Sequence, residues 1–110
     1  FQLRNTFFMS GIIPPPMNLE FTNKIWHWRG PSPYYFVSVP PPEADALHAI
    51  AASVTYGLGM IPANVQIGET RWYTALWPKD GGYIVPLKDA VRRAERLAEG
   101  DEVTIHLQVG

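Results

Sequence analysis

The chain contains no cysteine. That removes disulfides, zinc–thiolate sites, iron–sulfur clusters and thiol nucleophiles together. Neither sign of charge is in surplus: nine lysines and arginines stand against ten aspartates and glutamates, for a formal net charge of −1. A domain that mainly grips a phosphate backbone carries a basic surface, so this balance argues against that class while leaving room for a local basic stripe. No apolar run approaches the roughly 18–20 residues that cross a bilayer as a helix. No charged-then-apolar leader precedes a small-residue cleavage site. A cytoplasmic protein without a membrane partner is the expectation. Histidine is scarce as well. His27, His48 and His106 are far apart, with no carboxylate at ligand spacing, which argues against a metal site. The GxSxG, P-loop and GxGxxG motifs are missing, Ser38 and Ser53 have no evident base, and no cofactor is expected.

What is present is enough for one domain. Of 110 residues, 46% are hydrophobic, so a core can form, and four Trp, five Tyr and five Phe mean that much of it is built from rings. Residues 1–16 look unlike the rest. Pro14-Pro15-Pro16 punctuates just before Met17, and the segment reads as a tag remnant or an N-terminal extension. Residues 17–110 form the expected folded domain.

From Asn18 the pattern has period two. Leu19, Phe21 and Ile25 share one parity, Glu20, Thr22 and Lys24 the other, which predicts a strand with one buried face. Trp26 and Trp28 break the alternation by placing rings on the polar parity. Gly30-Pro31-Ser32-Pro33 is a turn, and Tyr34 to Val39 a second strand. Pro40-Pro41-Pro42 ends that strand and can open a helix, because proline is tolerated in a first helical turn. Leu47, Ile50, Ala51 and Val54 recur at helical spacing as far as Gly57 and Gly59. Ala63–Ile67 and Thr70–Leu76 read as a hairpin around Gly68-Glu69, and Pro78-Lys79-Asp80-Gly81-Gly82 as a strong turn.

The last stretch is strand (Tyr83-Ile84-Val85), Pro86, helix (Leu87 to Leu97), Gly100-Asp101, strand (Val103 to Val109). It repeats an earlier one. Aligning Pro40 with Pro86, an offset of 46, brings Val39 onto Val85 and Ala44 onto Ala90. After the helices Val65 meets Val103 and Ile67 meets Ile105, an offset of 38. The first copy therefore carries eight extra residues, expected in its helix-to-strand loop around Gly57 and Gly59. A β-α-β unit that cannot bury its apolar face alone predicts one small, mainly β barrel built from two halves with two short helices.

Several segments carry a resemblance. They are Gly30-Pro31 with Tyr35-Phe36-Val37, Ile67-Gly68-Glu69-Thr70 with Trp72 and Thr74, Trp77-Pro78-Lys79-Asp80-Gly81, Tyr83-Ile84-Val85-Pro86, Val91-Arg92 and Gly100-Asp101. From about Asn18 onward the chain resembles a small bacterial family catalogued only as a domain of unknown function, nineteen-oh-five in its series. Trp77 stands where that family usually has Phe, and Met60 interrupts the loop before Ile61-Pro62. The resemblance implies a double-split β-barrel. The segment from Val85-Pro86 to Val103 also looks like the swapped-hairpin DNA-binding proteins of the AbrB and MazE type, in which two chains each supply half a barrel. Here both halves lie in one chain, and a fused barrel need not present the same dimeric basic surface.

Two groups of side chains are candidates for function. Arg71, Trp72, Trp77, Lys79 and Asp80 surround one turn and suit a small ligand or a protein partner, through stacking, cation–π contact and an anion on Lys79. The plainer alternative is that Asp80-Gly81 serves the turn and the rings serve packing. Lys88, Arg92, Arg93 and Arg96 recur along the second helix and suit a phosphate backbone, although Asp89, Glu95 and Glu99 interleave and favour a solvated, salt-laced face. The expectation is a non-catalytic binding module, monomeric or weakly dimeric. A nucleic-acid-binding regulator is the alternative, and an enzyme using Lys79 and Asp80 comes third.

Overall fold

In a computed structural model describing residues 16–110, each predicted strand and helix forms, and all but the last residue of the expected extension at residues 1–16 lies outside the described residues. The order is β1 (Met17–Trp28), β2 (Tyr34–Ser38), α1 (Pro41–Val54), β3 (Ile61–Ile67), β4 (Thr70–Lys79), β5 (Gly82–Leu87), α2 (Asp89–Glu95) and β6 (Glu102–Val109). The strands close into a barrel in the order β1-β2-β5-β4-β3-β6, and every neighbouring pair is antiparallel. Closure satisfies the edge strands that an open sheet would leave exposed.

The two long strands each change partner along their length. β1 pairs with β6 through Lys24 and with β2 from Ile25 onward. β4 pairs with β3 through Leu76 and with β5 from Trp77 onward. Exchanging β1 with β4, β2 with β5 and β3 with β6 maps the set of ladders onto itself, so the barrel is built from two like halves. Ser38 lies in register with Ile84. These are the two residues that the 46-residue offset superimposes, and the pseudo-twofold axis passes between them.

The eight extra residues of the first half are not in its loop. Six residues separate α1 from β3 and six separate α2 from β6. Helix α1 is 14 residues long and α2 only 7, and that difference accounts for all but one of the eight. The second helix is shorter than the predicted Leu87–Leu97 at both ends. At its C-terminus Arg96 turns into the left-handed region (φ 56°, ψ 51°) and caps it. At its start β5 runs on through Pro86 to Leu87, with Pro86 opposite Phe36. Proline is tolerated there because the β4 ladder ends before it, so no second neighbour needs its missing N–H. Pro62 and Pro78 also sit where their strands have a single neighbour.

The barrel interior is filled with side chains. Val37, Ile61, Val65, Leu76, Val85 and Ile105 are fully buried, and Leu47 of α1 joins the same core. This is the behaviour of a small barrel, whose bore is too narrow to remain open once its inward positions are large and branched. A ligand site is therefore to be sought on the outside. Among the described residues, no helix is long and apolar enough to cross a membrane.

Candidate ligand-binding groove

Alternation along the strands of β1, β2, β5 and β4 sends one set of side chains inward and the other outward. On this side of the barrel the outward set is aromatic and aliphatic. Trp26 and Phe36 are in register across β1 and β2, and Phe36 faces Pro86 across β2 and β5. Ile84 faces Trp77 across β5 and β4. Phe36 and Ile84 are buried although they stand outside the barrel core.

Phe36 is the hub of this outer cluster. Its ring centroid lies 5.2 Å from that of Trp26, 5.2 Å from that of Trp77 and 5.7 Å from that of Tyr34. All three separations fall within the range of favourable tilted aromatic pairs. Trp26 donates its indole N–H to Ser38 Oγ at 3.0 Å, and Trp28 donates to the carbonyl of Pro31 at 3.3 Å. These bonds fix both rings. Gly30 lies directly beneath the Trp28 indole: a Cβ at that position would fall 2.6 Å from Cζ2 of the ring, so the ring can lie there only because residue 30 has no side chain.

The result is a groove of about 280 Å³ walled by Trp26, Trp28, Phe36, Trp77 and Ile84, with Pro31 and Pro78 at its edges. Trp28 remains 43% exposed and Trp77 42% exposed, so both present ring surface to solvent. The one charged group in the wall is Lys79. Its ammonium lies 5.7 Å from the centre of the Trp28 ring and 3.3 Å from the Asp80 carboxylate. The arrangement can hold a flat apolar group against indole faces, with one cation at the rim.

Of the residues singled out in the sequence, Trp77 and Lys79 line the groove and Asp80 stands beside it. Asp80 is 85% exposed and occupies, with Gly81, the two-residue loop of the β4–β5 hairpin. Both loop residues have positive φ (51° and 80°), the signature of a type I′ turn, for which Asp-Gly is a favoured pair. Asp80 thus has a backbone role sufficient to account for it. Arg71 and Trp72 lie elsewhere. Trp72 points inward and packs against the barrel core, with its indole N–H buried and unpartnered. Arg71 points out from the opposite side of the barrel and donates from Nε to Gln66 Oε1 at 2.9 Å.

The basic residues of the second helix do not act as one stripe. Lys88 and Arg96 flank α2 as its caps and Arg93 is exposed. Arg92 is engaged twice: its guanidinium lies 3.8 Å over the ring of Tyr35, and Nη2 donates to Asp89 Oδ1 at 2.9 Å. His27 stacks on the same tyrosine ring at 4.2 Å.

Sequence reasoning did not assign Trp26, Trp28 and Phe36 to a site. The available signal was the appearance of Trp26 and Trp28 on the polar parity of β1. Outward tryptophans on a half-buried strand require something to cover them.

A family model described as a domain of unknown function (DUF1905) matches residues 21–107. No curated protein matches the chain. The matched span takes in part of β1, the whole of β2 to β5 with both helices, and most of β6, and the chain belongs to the DUF1905 family.

Proposed function

We propose that this protein is a non-catalytic binding domain whose aromatic groove seats the flat apolar part of a small ligand or of a partner's side chain. The supporting observation is the aromatic cluster outside the barrel. The inward faces of the strands already build a complete core, so Trp28 and Trp77 are not needed to close it. Holding apolar rings open to water forgoes about 25 cal/mol per Å² of unburied surface, and rings kept partly exposed in a rigid setting suit recognition. Lys79 at the rim favours a ligand that bears a carboxylate, sulfonate or phosphate beside its flat body.

Anilinonaphthalene sulfonate has that form and serves as the probe. Saturable quenching of tryptophan emission is expected with the native chain. Trp28→Ala and Trp77→Ala should abolish it, and Lys79→Met should weaken it several-fold. Quenching that survives both tryptophan replacements would refute the groove as the site.

The nucleic-acid reading draws less support, because Arg92 is held by Tyr35 and Asp89 and leaves only Lys88, Arg93 and Arg96 for phosphates. Binding to random-sequence duplex at low salt that weakens steeply as salt rises would favour it over the groove. An enzyme built on Lys79 and Asp80 draws least, since the pair stands on an exposed hairpin whose two-residue turn already accounts for Asp80.

A further inference from the structure

On the side of the barrel away from the groove, the outward residues of β1, β6, β3 and β4 form two rows in register. Asn18 faces Gln108, Gln108 faces Asn64, and Asn64 faces Tyr73. One step along the strands, Glu20 faces His106, His106 faces Gln66, and Gln66 faces Arg71. We infer that this face is a second binding site, and that it takes a neutral oligosaccharide.

The composition of the rows is the first argument. A merely solvated strand face is served by threonine or by mixed charges, and asparagine in particular is depleted in strands. Here four of eight positions are amides. Each primary amide offers two donors and an acceptor in one plane, which matches neighbouring sugar hydroxyls that each donate and accept. One of these amides is also preset. Gln66 donates from Nε2 to the carbonyl of Gly68 at 2.8 Å while its Oε1 accepts from Arg71, so its orientation is fixed before a ligand arrives.

Shape is the second. A hollow of about 360 Å³ is lined by Asn18, Asn64, Gln66, Arg71, His106 and Gln108, within the usual span of small-ligand sites of roughly 300–1,000 Å³. At the end of the first row Tyr73 is 63% exposed. A second hollow of about 250 Å³ shares Asn64 and Gln108 with the first and also touches Tyr73. The tyrosine lines the second hollow, which joins the first through Asn64 and Gln108, so the C–H face of a pyranose can stack on it and a chain of more than one sugar can continue into the first.

Charge is the third, and it selects the ligand. The only fixed charges in the rows are Glu20 and Arg71, one of each sign at opposite edges. Arg71 is hydrogen-bonded to Gln66, and Glu20 lies 3.8 Å from the His106 ring. A strand of phosphates needs several cations, whereas a near-neutral amide face complements a neutral polyol.

The test is titration of the full chain, labelled with nitrogen-15, with cellohexaose, maltohexaose, chitohexaose and mannohexaose in turn, at millimolar concentrations. Saturable shifts of the side-chain amide signals of Asn18, Asn64, Gln66 and Gln108 are expected with at least one sugar. Tyr73→Ala, at an exposed position, should weaken that binding by about tenfold or more, and Trp77→Ala should leave it unchanged. Three outcomes overturn the inference: no saturable shift with any of the four sugars, binding indifferent to Tyr73→Ala, or shifts on this face caused by an oligouridylate and by none of the sugars.

Discussion

The guanidinium of Arg92 lies 3.8 Å over the ring of Tyr35 while its Nη2 holds Asp89, so the central cation of the second helix is spent inside the protein. Arg92→Ala should therefore lower the free energy of unfolding by about 1–2 kcal/mol, through loss of a cation–π contact and a charge-assisted hydrogen bond. Arg93→Ala, at an exposed neighbour, should stay within about 0.5 kcal/mol. Urea denaturation compares the two. Equal effects would mean that Arg92 is a free surface charge, and would restore a continuous basic stripe.

The groove and the core should separate experimentally. Leu107→Ala removes a fully buried side chain and should cost about 2–5 kcal/mol. Gly30→Ala leaves the barrel interior untouched but places a methyl group where the Trp28 indole lies, so the ring must swing away and release the Pro31 carbonyl. The expected result is a displaced Trp28 indole N–H signal and weakened probe binding, with a thermal midpoint much closer to the native value than that of Leu107→Ala. Undiminished probe binding in Gly30→Ala would show that the position of Trp28 does not matter to the groove.

At the β4–β5 hairpin the backbone makes its own demand. Gly81 has φ 80° and open space around it, so Gly81→Ala meets no clash and measures only the strain of a side chain at positive φ, about 1–2 kcal/mol. Asp80→Asn retains the turn preference and should be nearly neutral, whereas Asp80→Val should destabilise. Chemical denaturation of the three variants checks this. If Asp80→Asn is as damaging as Asp80→Val, the carboxylate charge itself matters and Asp80 has a role beyond the turn.

Alkaline pH probes the Tyr34 hydroxyl. Burial raises its pKa above the ordinary value near 10, the Asp89 carboxylate raises it further, and Arg92 draws it part of the way back. A phenol whose pKa is raised by folding ionises first in the unfolded chain. Its contribution to stability is complete below about pH 10 and is lost as pH climbs through the folded-state value. Tyr34→Phe should remove this part of the alkaline loss, seen as a shallower fall in unfolding free energy above about pH 10. Parallel profiles for the two proteins would count against it.

Much of the architecture was legible in the chain. Period-two alternation located β1, the Gly68-Glu69 and Asp80-Gly81 pairs marked two hairpins, and the offset between Pro40 and Pro86 disclosed the two halves, because these are local rules of parity and φ. Strand ends at Pro78 and Pro86 were misplaced for a tertiary reason. Proline breaks a ladder only where a neighbour needs its N–H, and the number of neighbours at a position is not written near it. The candidate site was half legible. Trp77 and Lys79 lie close together in the chain, but Trp26 and Phe36 join them only because β2 and β5 pair between β1 and β4. Trp72, next to Tyr73 in the chain and of opposite parity, points into the core by that same alternation.

A cysteine-free, near-neutral, mainly β domain made of two like halves can be read directly from the chain, because composition and periodicity are properties of short stretches. Which rings face out together, the capture of Arg92 by Tyr35, and the sharing of one face by polar side chains from four strands emerge with the closed barrel. Those facts depend on register between residues as far apart as Asn18 and Gln108, and register is set when the barrel closes.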